Sequence, residues 1–255
     1  MTMDPRHIID VMRRYDIERG YALHRWYSLD LARDGQARPL DGLGANGWEV
    51  CCALSAETAA DLASCAGEKA REIGRDRLRA VLEEAFAGSL GSKLRDYYLS
   101  EFAVLFANLA SDEPTDSCRW HCDAGPSEHL KLLVYLTDSD GGTEVIDRAA
   151  TYLFQRVGYG FGPKPDRLED LGLLGMRYGV EFTPSRIMPR VGEALVFEPT
   201  RVLHKGVPGV ARKRRLLQIG IVPWPQPWAA AFDIMWDFIA LNEGAGFPTM
   251  RAEAA

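Results

Sequence analysis

Cysteine is scarce in this chain: five in 255 residues, an odd number, with no C-x-x-C pair. That pattern excludes a disulfide-stapled scaffold and a structural zinc knuckle, and it fits reduced thiols in a cytoplasmic protein. Surplus positive charge is missing too. Thirty Lys and Arg stand against 36 Asp and Glu, a net charge of −6, so no global positive field exists to hold a nucleic-acid backbone. Long apolar runs are also lacking. The most apolar late stretch, residues 229–241, is broken by Asp233 and Asp237 and falls short of a bilayer span. The first twenty residues carry charges every few positions and offer no signal-peptide core. Neither repeats nor low-complexity tracts occur, which excludes solenoids and disordered tails. The expected partner is therefore a small molecule, with no nucleic acid and no membrane; monomer and homodimer are both compatible with the composition.

What is present is ordinary globular composition, 47% hydrophobic and 26% charged. The chain reads as a single domain, 1–255, in three parts: a mainly helical segment (1–95), a β core (96–223) carrying an insert (151–189), and a C-terminal helix with its tail (224–255). Ile8, Ile9, Val11 and Met12, then Leu23, Trp26 and Leu29, recur at helical spacing. Ser55 is an N-cap, although Thr58 stands where Glu or Gln would complete a capping box. Helices are predicted over 56–73 and 75–87, ending at Gly88 and Gly91. Beyond them come short β-rich runs at 101–107, 130–136, 143–146, 194–197 and 216–222, separated by Gly, Pro, Asp and Ser. Asp138 to Gly142 reads as a hairpin turn, and Gly192 to His204 as one strand ending on a histidine. Trp228, Phe232, Met235, Trp236 and Ile239 form a helical packing stripe.

The chemistry concentrates in few residues. In an extended strand His121 and Asp123 leave one face and Cys122 the other, a spacing that suits two ligands of one metal. His204, 83 residues on, supplies a third ligand if the sheet closes on itself. Two histidines and one carboxylate form a facial triad with open positions, which suits iron(II) better than a closed zinc site. Next comes the cluster Arg212-Lys213-Arg214-Arg215. A dicarboxylate cosubstrate needs a bidentate cation inside an apolar enclosure, and arginine's fork supplies it. By alternation Arg215 shares a face with Leu217, Ile219 and Ile221, and Arg214 with Leu216, Gln218 and Gly220. Arg215 is favoured because its face is the more apolar. Asn108, before the metal motif, could hydrogen-bond the cosubstrate, and Lys131 and Tyr135 share a strand face from which either could reach it. The aromatics Tyr152, Phe154, Tyr159 and Phe161 of the insert, with Trp48 of the early loop, line a substrate pocket or a lid, or else pack locally.

Taken together, Trp120 to Asp123, Leu130 to Asp138 with Gly141-Gly142, and Gly192 to Phe197 leading to His204 and the arginines resemble the iron(II) and 2-oxoglutarate-dependent dioxygenases, and among them the phytanoyl-CoA dioxygenase-like family. The resemblance covers about residues 100–223. The Pro-Gly-Ser-His turn frequent in that family is replaced here by Val145 to Ala150. The resemblance implies a mainly β fold with flanking helices, a double-stranded β-helix (jelly-roll, cupin-like) barrel. It implies iron held by His121, Asp123 and His204, with 2-oxoglutarate meeting Arg215 or Arg214 and O2 as cosubstrate. The implied reaction is hydroxylation of an unactivated C–H bond of a small molecule, with desaturation or ring formation as open alternatives, and with release of succinate and CO2. The alternative is a non-catalytic cupin-like protein that binds or senses a small ligand.

Overall fold

In the computed structural model the described residues are 43, 46–66, 71–88, 90–91, 97–108, 116–123, 130–161, 166–223, 229 and 232. The two helices expected between 5 and 34, and most of the C-terminal helix, lie outside them. The strands are β1 (Trp48–Cys52), β2 (Arg71–Glu72), β3 (Tyr97–Asn108), β4 (Leu130–Tyr135), β5 (Gly142–Val145), β6 (Ser185–Ile187), β7 (Glu193–Phe197), β8 (His204–Val207) and β9 (Arg214–Pro223). The helices are α1 (Ala56–Cys65), α2 (Arg75–Ala87), α3 (Arg148–Arg156) and α4 (Gly172–Tyr178). All strand pairings are antiparallel. A six-stranded sheet runs β1-β7-β4-β9-β3-β2 and a three-stranded sheet runs β6-β5-β8.

Alternation along the strands of the large sheet separates two apolar layers. Leu130, Leu132, Val134, Ala194, Val196, Leu217, Ile219 and Ile221 pack against Ala59 and Leu62 of α1 and Leu78, Val81 and Leu82 of α2. The other face presents Leu133, Tyr135, Leu195, Phe197 and Leu216 to Val145 and Ile187 of the small sheet. The architecture is thus helices on sheet on sheet. The sheets face each other without closing: no closed barrel is found among the described residues. No helix among them is long and apolar enough to cross a membrane.

Several local expectations change. The first helix stops at Cys65 instead of continuing to 73, because Ala66 turns extended (ψ 120°) and Arg71 and Glu72 pair with Leu105 and Val104 on β3. Ser55 caps α1 as expected, its side chain accepting the Thr58 N–H at 3.2 Å. The missing half of the capping box comes from another helix: Glu84 of α2 accepts the Ser55 N–H and, at 2.6 Å, the Thr58 hydroxyl. The segment 138–142 does not form a hairpin, since β4 belongs to the large sheet and β5 to the small one. Asp140 pins that turn to the β8–β9 connection by accepting the N–H groups of Val210, Ala211 and Arg212. Residues 192–204 are two strands, not one. Pro199 cannot continue a ladder, and the turn at Glu198, which accepts the N–H groups of Arg201 and Val202 at 3.0 and 2.9 Å, carries the chain from β7 in one sheet to β8 in the other.

Candidate metal centre

The segment from Trp120 to Asp123 is fixed by backbone bonds on both sides. Trp120 N–H donates to Leu168 O (2.8 Å), Cys122 N–H to Gly160 O (2.7 Å) and Asp123 N–H to Pro199 O (2.8 Å). His121 and His204 exchange both backbone bonds, at 3.1 and 3.0 Å. That pairing brings residues 83 positions apart side by side, with ring centroids 4.4 Å apart. The insert supports the segment from behind. Tyr159 OH donates to Trp120 O and accepts from Leu168 N–H, each at 2.8 Å, and the Gln155 amide reaches Thr200 O at 2.8 Å. An ion pair between Arg148 and the buried Glu198, at 2.8 Å, ties α3 to the β7–β8 turn.

With the backbone so held, the Nε2 of His121 lies 3.4 Å from Asp123 Oδ1 and the Nε2 of His204 lies 3.7 Å from Asp123 Oδ2. The ligand atoms of the three residues lie within 4.8 Å of one another. Each ring's Nδ1 meets a backbone carbonyl, Arg119 O at 2.7 Å and Val202 O at 2.9 Å. A carbonyl only accepts, so the proton sits on Nδ1 and each Nε2 keeps its lone pair, the arrangement in which metal-bound histidines are found. Burial pushes the His204 pKa well below its ordinary value, which keeps the ring neutral. Its Nε2 is buried with no hydrogen-bond partner among the described residues. Burial alone would raise the Asp123 carboxyl, but the Lys131 ammonium beside it holds it well below the carboxylate range.

Cys122 leaves the opposite face, into a cluster with Trp120, Phe154, Leu171 and Leu203. Burial pushes its thiol far up, so it supplies no thiolate ligand. A neutral-imidazole, neutral-imidazole, carboxylate set with an orphaned buried nitrogen fits a divalent metal of the first transition row.

Beside the triad a cleft of about 390 Å³, part of it open to solvent, runs between the sheets; Lys131, Thr143, Arg214 and Gln218 line it with both histidines. Here the placement of the arginines reverses the sequence preference. Arg214, 2% exposed, enters the cleft and donates to Gly142 O and, at 3.3 Å, to Thr143 Oγ1. Arg215 turns to the helical side, where it donates to Ala63 O at 2.6 Å. The alternation was grouped correctly, but the more apolar face of β9 is the one covered by α1 and α2, not the one facing the cleft. No carboxylate pairs with Arg214 among the described residues, and its Nε is buried without a partner. Asn108 ends β3 opposite Arg214 in the ladder; its side chain lies outside the described residues. The insert aromatics Phe154, Tyr159 and Phe161 pack in the cluster behind Cys122, while Tyr152 is exposed. Thr143, Gln218 and Ser117 join the cleft lining unforeseen. Gln218 was readable from its parity with Arg214, whereas nothing in the sequence marked the other two.

No protein-family model matches the chain, and no curated protein matches it by sequence. Among solved structures it is similar to the apo form of ThoJ, a non-heme monooxygenase, at 15% identity over 72% of this chain and 77% of that one, with TM-score 0.48. It is also similar to SnoK, a non-heme alpha ketoglutarate dependent carbocyclase from nogalamycin biosynthesis, at 14% identity over 72% and 83% of the two chains, with TM-score 0.45. HygX from Streptomyces hygroscopicus, with nickel and 2-oxoglutarate bound, is 14% identical over 74% and 87%, with TM-score 0.42.

Proposed function

We propose that this chain is a cytoplasmic non-haem iron(II)- and 2-oxoglutarate-dependent dioxygenase that hydroxylates an unactivated C–H bond of a small molecule. In this reading the two sheets are the halves of a jelly-roll domain. The observation that carries the proposal is the pairing, in one cleft, of a three-ligand centre with a buried arginine that has no carboxylate partner among the described residues. A guanidinium taken out of water without an anion is strongly unfavourable, so the site is built for an anionic ligand within reach of the metal. A ketoacid with a second carboxylate meets both requirements. The ordered motif resemblance of residues 100–223 supports the same reading.

His121, Asp123 and His204 would hold the iron, which together with O2 and 2-oxoglutarate supplies the oxidising equivalents for C–H oxidation as the ketoacid leaves as succinate and CO2. The chain's own work is positional. The Arg119 and Val202 carbonyls lock both rings in the ligating tautomer. Thr143, itself bonded to Tyr135 OH at 2.9 Å, and the Gly142 carbonyl aim the Arg214 fork at the far carboxylate. Leu133 and Leu216 keep that part of the cleft apolar, which strengthens every charge interaction in it.

The test is an anaerobic titration of metal-free protein with iron(II) and then 2-oxoglutarate. The expected result is a weak visible charge-transfer band that is absent in His204→Ala. A folded protein that shows no band with both iron(II) and 2-oxoglutarate present contradicts the proposal.

A further inference from the structure

Lys131 stands in a strand whose six residues are all buried, and it is itself 8% exposed. Lysine is almost never found so deep unless paired. Its ammonium contacts Asp123 Oδ2, and no other acceptor bonds it among the described residues. Around Asp123 the structure gathers three electron-rich groups: the carboxylate and the Nε2 lone pairs of His121 and His204, at 3.4 and 3.7 Å from its oxygens. Such a cluster repels itself without a cation beside it, and Lys131 is the cation in direct contact with it among the described residues.

Resting on the metal-centre reading, we propose that Lys131 is a resident stand-in for the metal's charge, holding Asp123 in its ligating position while the centre is empty and competing with a divalent cation for that carboxylate. Two consequences follow. The empty site is organised in advance, so the half-buried carboxylate does not destabilise the metal-free chain. Loading must displace the ammonium from Asp123 against its attraction to the carboxylate, and the adjoining cleft lined by Leu133, Thr143 and Gln218 gives it room to move.

The experiment is calorimetric titration of the metal-free full chain with Ni(II), a redox-stable divalent probe, on wild type, Lys131→Met, Lys131→Gln and Lys131→Arg. Removing the charge is expected to tighten Ni(II) binding by about tenfold or more, and the arginine variant, which keeps the charge, should stay within about threefold of wild type. The metal-free melting temperature should fall in Lys131→Met and Lys131→Gln, and the rise on adding Ni(II) should be larger than in wild type. If Lys131→Met does not fold, Lys131→Gln, closer in length and polar, gives the same readout. Equal or weaker Ni(II) binding in the uncharged variants overturns the stand-in role and makes Lys131 an orienting donor. Failure of wild type to bind Ni(II) overturns the metal-centre reading itself, and this inference with it.

Discussion

The two faces of strand β9 are built to different rules. On one face Leu217, Ile219 and Ile221 are fully buried against α1 and α2, and the only charge, Arg215, escapes at the rim to the Ala63 carbonyl. On the other face Arg214, Leu216 and Gln218 look into the cleft between the sheets, where a buried guanidinium stands beside two histidines and a carboxylate. The helical face gains stability from apolar area removed from water. The cleft face gives up part of that gain to hold polar atoms, Arg214 Nε and His204 Nε2, that have no hydrogen-bond partner among the described residues. In a sandwich of this kind the more apolar side of a strand therefore marks the structural layer, and the less apolar side marks the site.

That division can be tested by changing one face at a time. The largest effect on stability is expected from Ile219→Ala, which removes a fully buried side chain from the helix-covered layer. Chemical denaturation should show a loss of about 2–5 kcal/mol, with Ni(II) and 2-oxoglutarate affinities unchanged in the folded protein. A variant that instead lost ligand affinity at full stability would erase the distinction between the faces. A smaller effect belongs to the edge of the helical layer. The Thr58 hydroxyl, and then the Ser55 N–H, hold the Glu84 carboxyl below its ordinary value of 4.5. A lowered folded-state pKa contributes stability that is present above the unfolded-state pKa and disappears as pH falls through the folded-state value. The stability gap between wild type and Glu84→Gln should thus be present near neutrality and narrow in acid. A gap that does not change with pH would show that this carboxylate adds nothing through its charge.

Much of the site was legible because it depends on short-range parity. His121, Cys122 and Asp123 divide between faces as any extended tripeptide must, and the backbone pairing of His121 with His204 does the rest. The β-rich core, the Ser55 cap and the second helix were readable from local pattern for the same reason. What escaped depends on contacts distant in sequence. The capping box at Ser55 is completed by Glu84, 29 residues away, and the turn at 138–142 is held by N–H groups of residues 210–212. The break between β7 and β8 was signalled by Pro199, but the strand pattern on either side masked it. The choice between Arg214 and Arg215 required knowing which face the helices cover, and periodicity within one strand does not contain that information.

The most direct test of the account compares the dissociation constant for 2-oxoglutarate, measured anaerobically with metal present, in wild type, Arg214→Ala and Arg215→Ala. Removing one partner of a buried charge-assisted contact costs about 2–5 kcal/mol, so Arg214→Ala should weaken binding by roughly 30-fold or more, while Arg215→Ala should change it by less than about threefold. The reverse order would contradict the assignment of the cleft face as the cosubstrate site and return that role to the face now covered by helices.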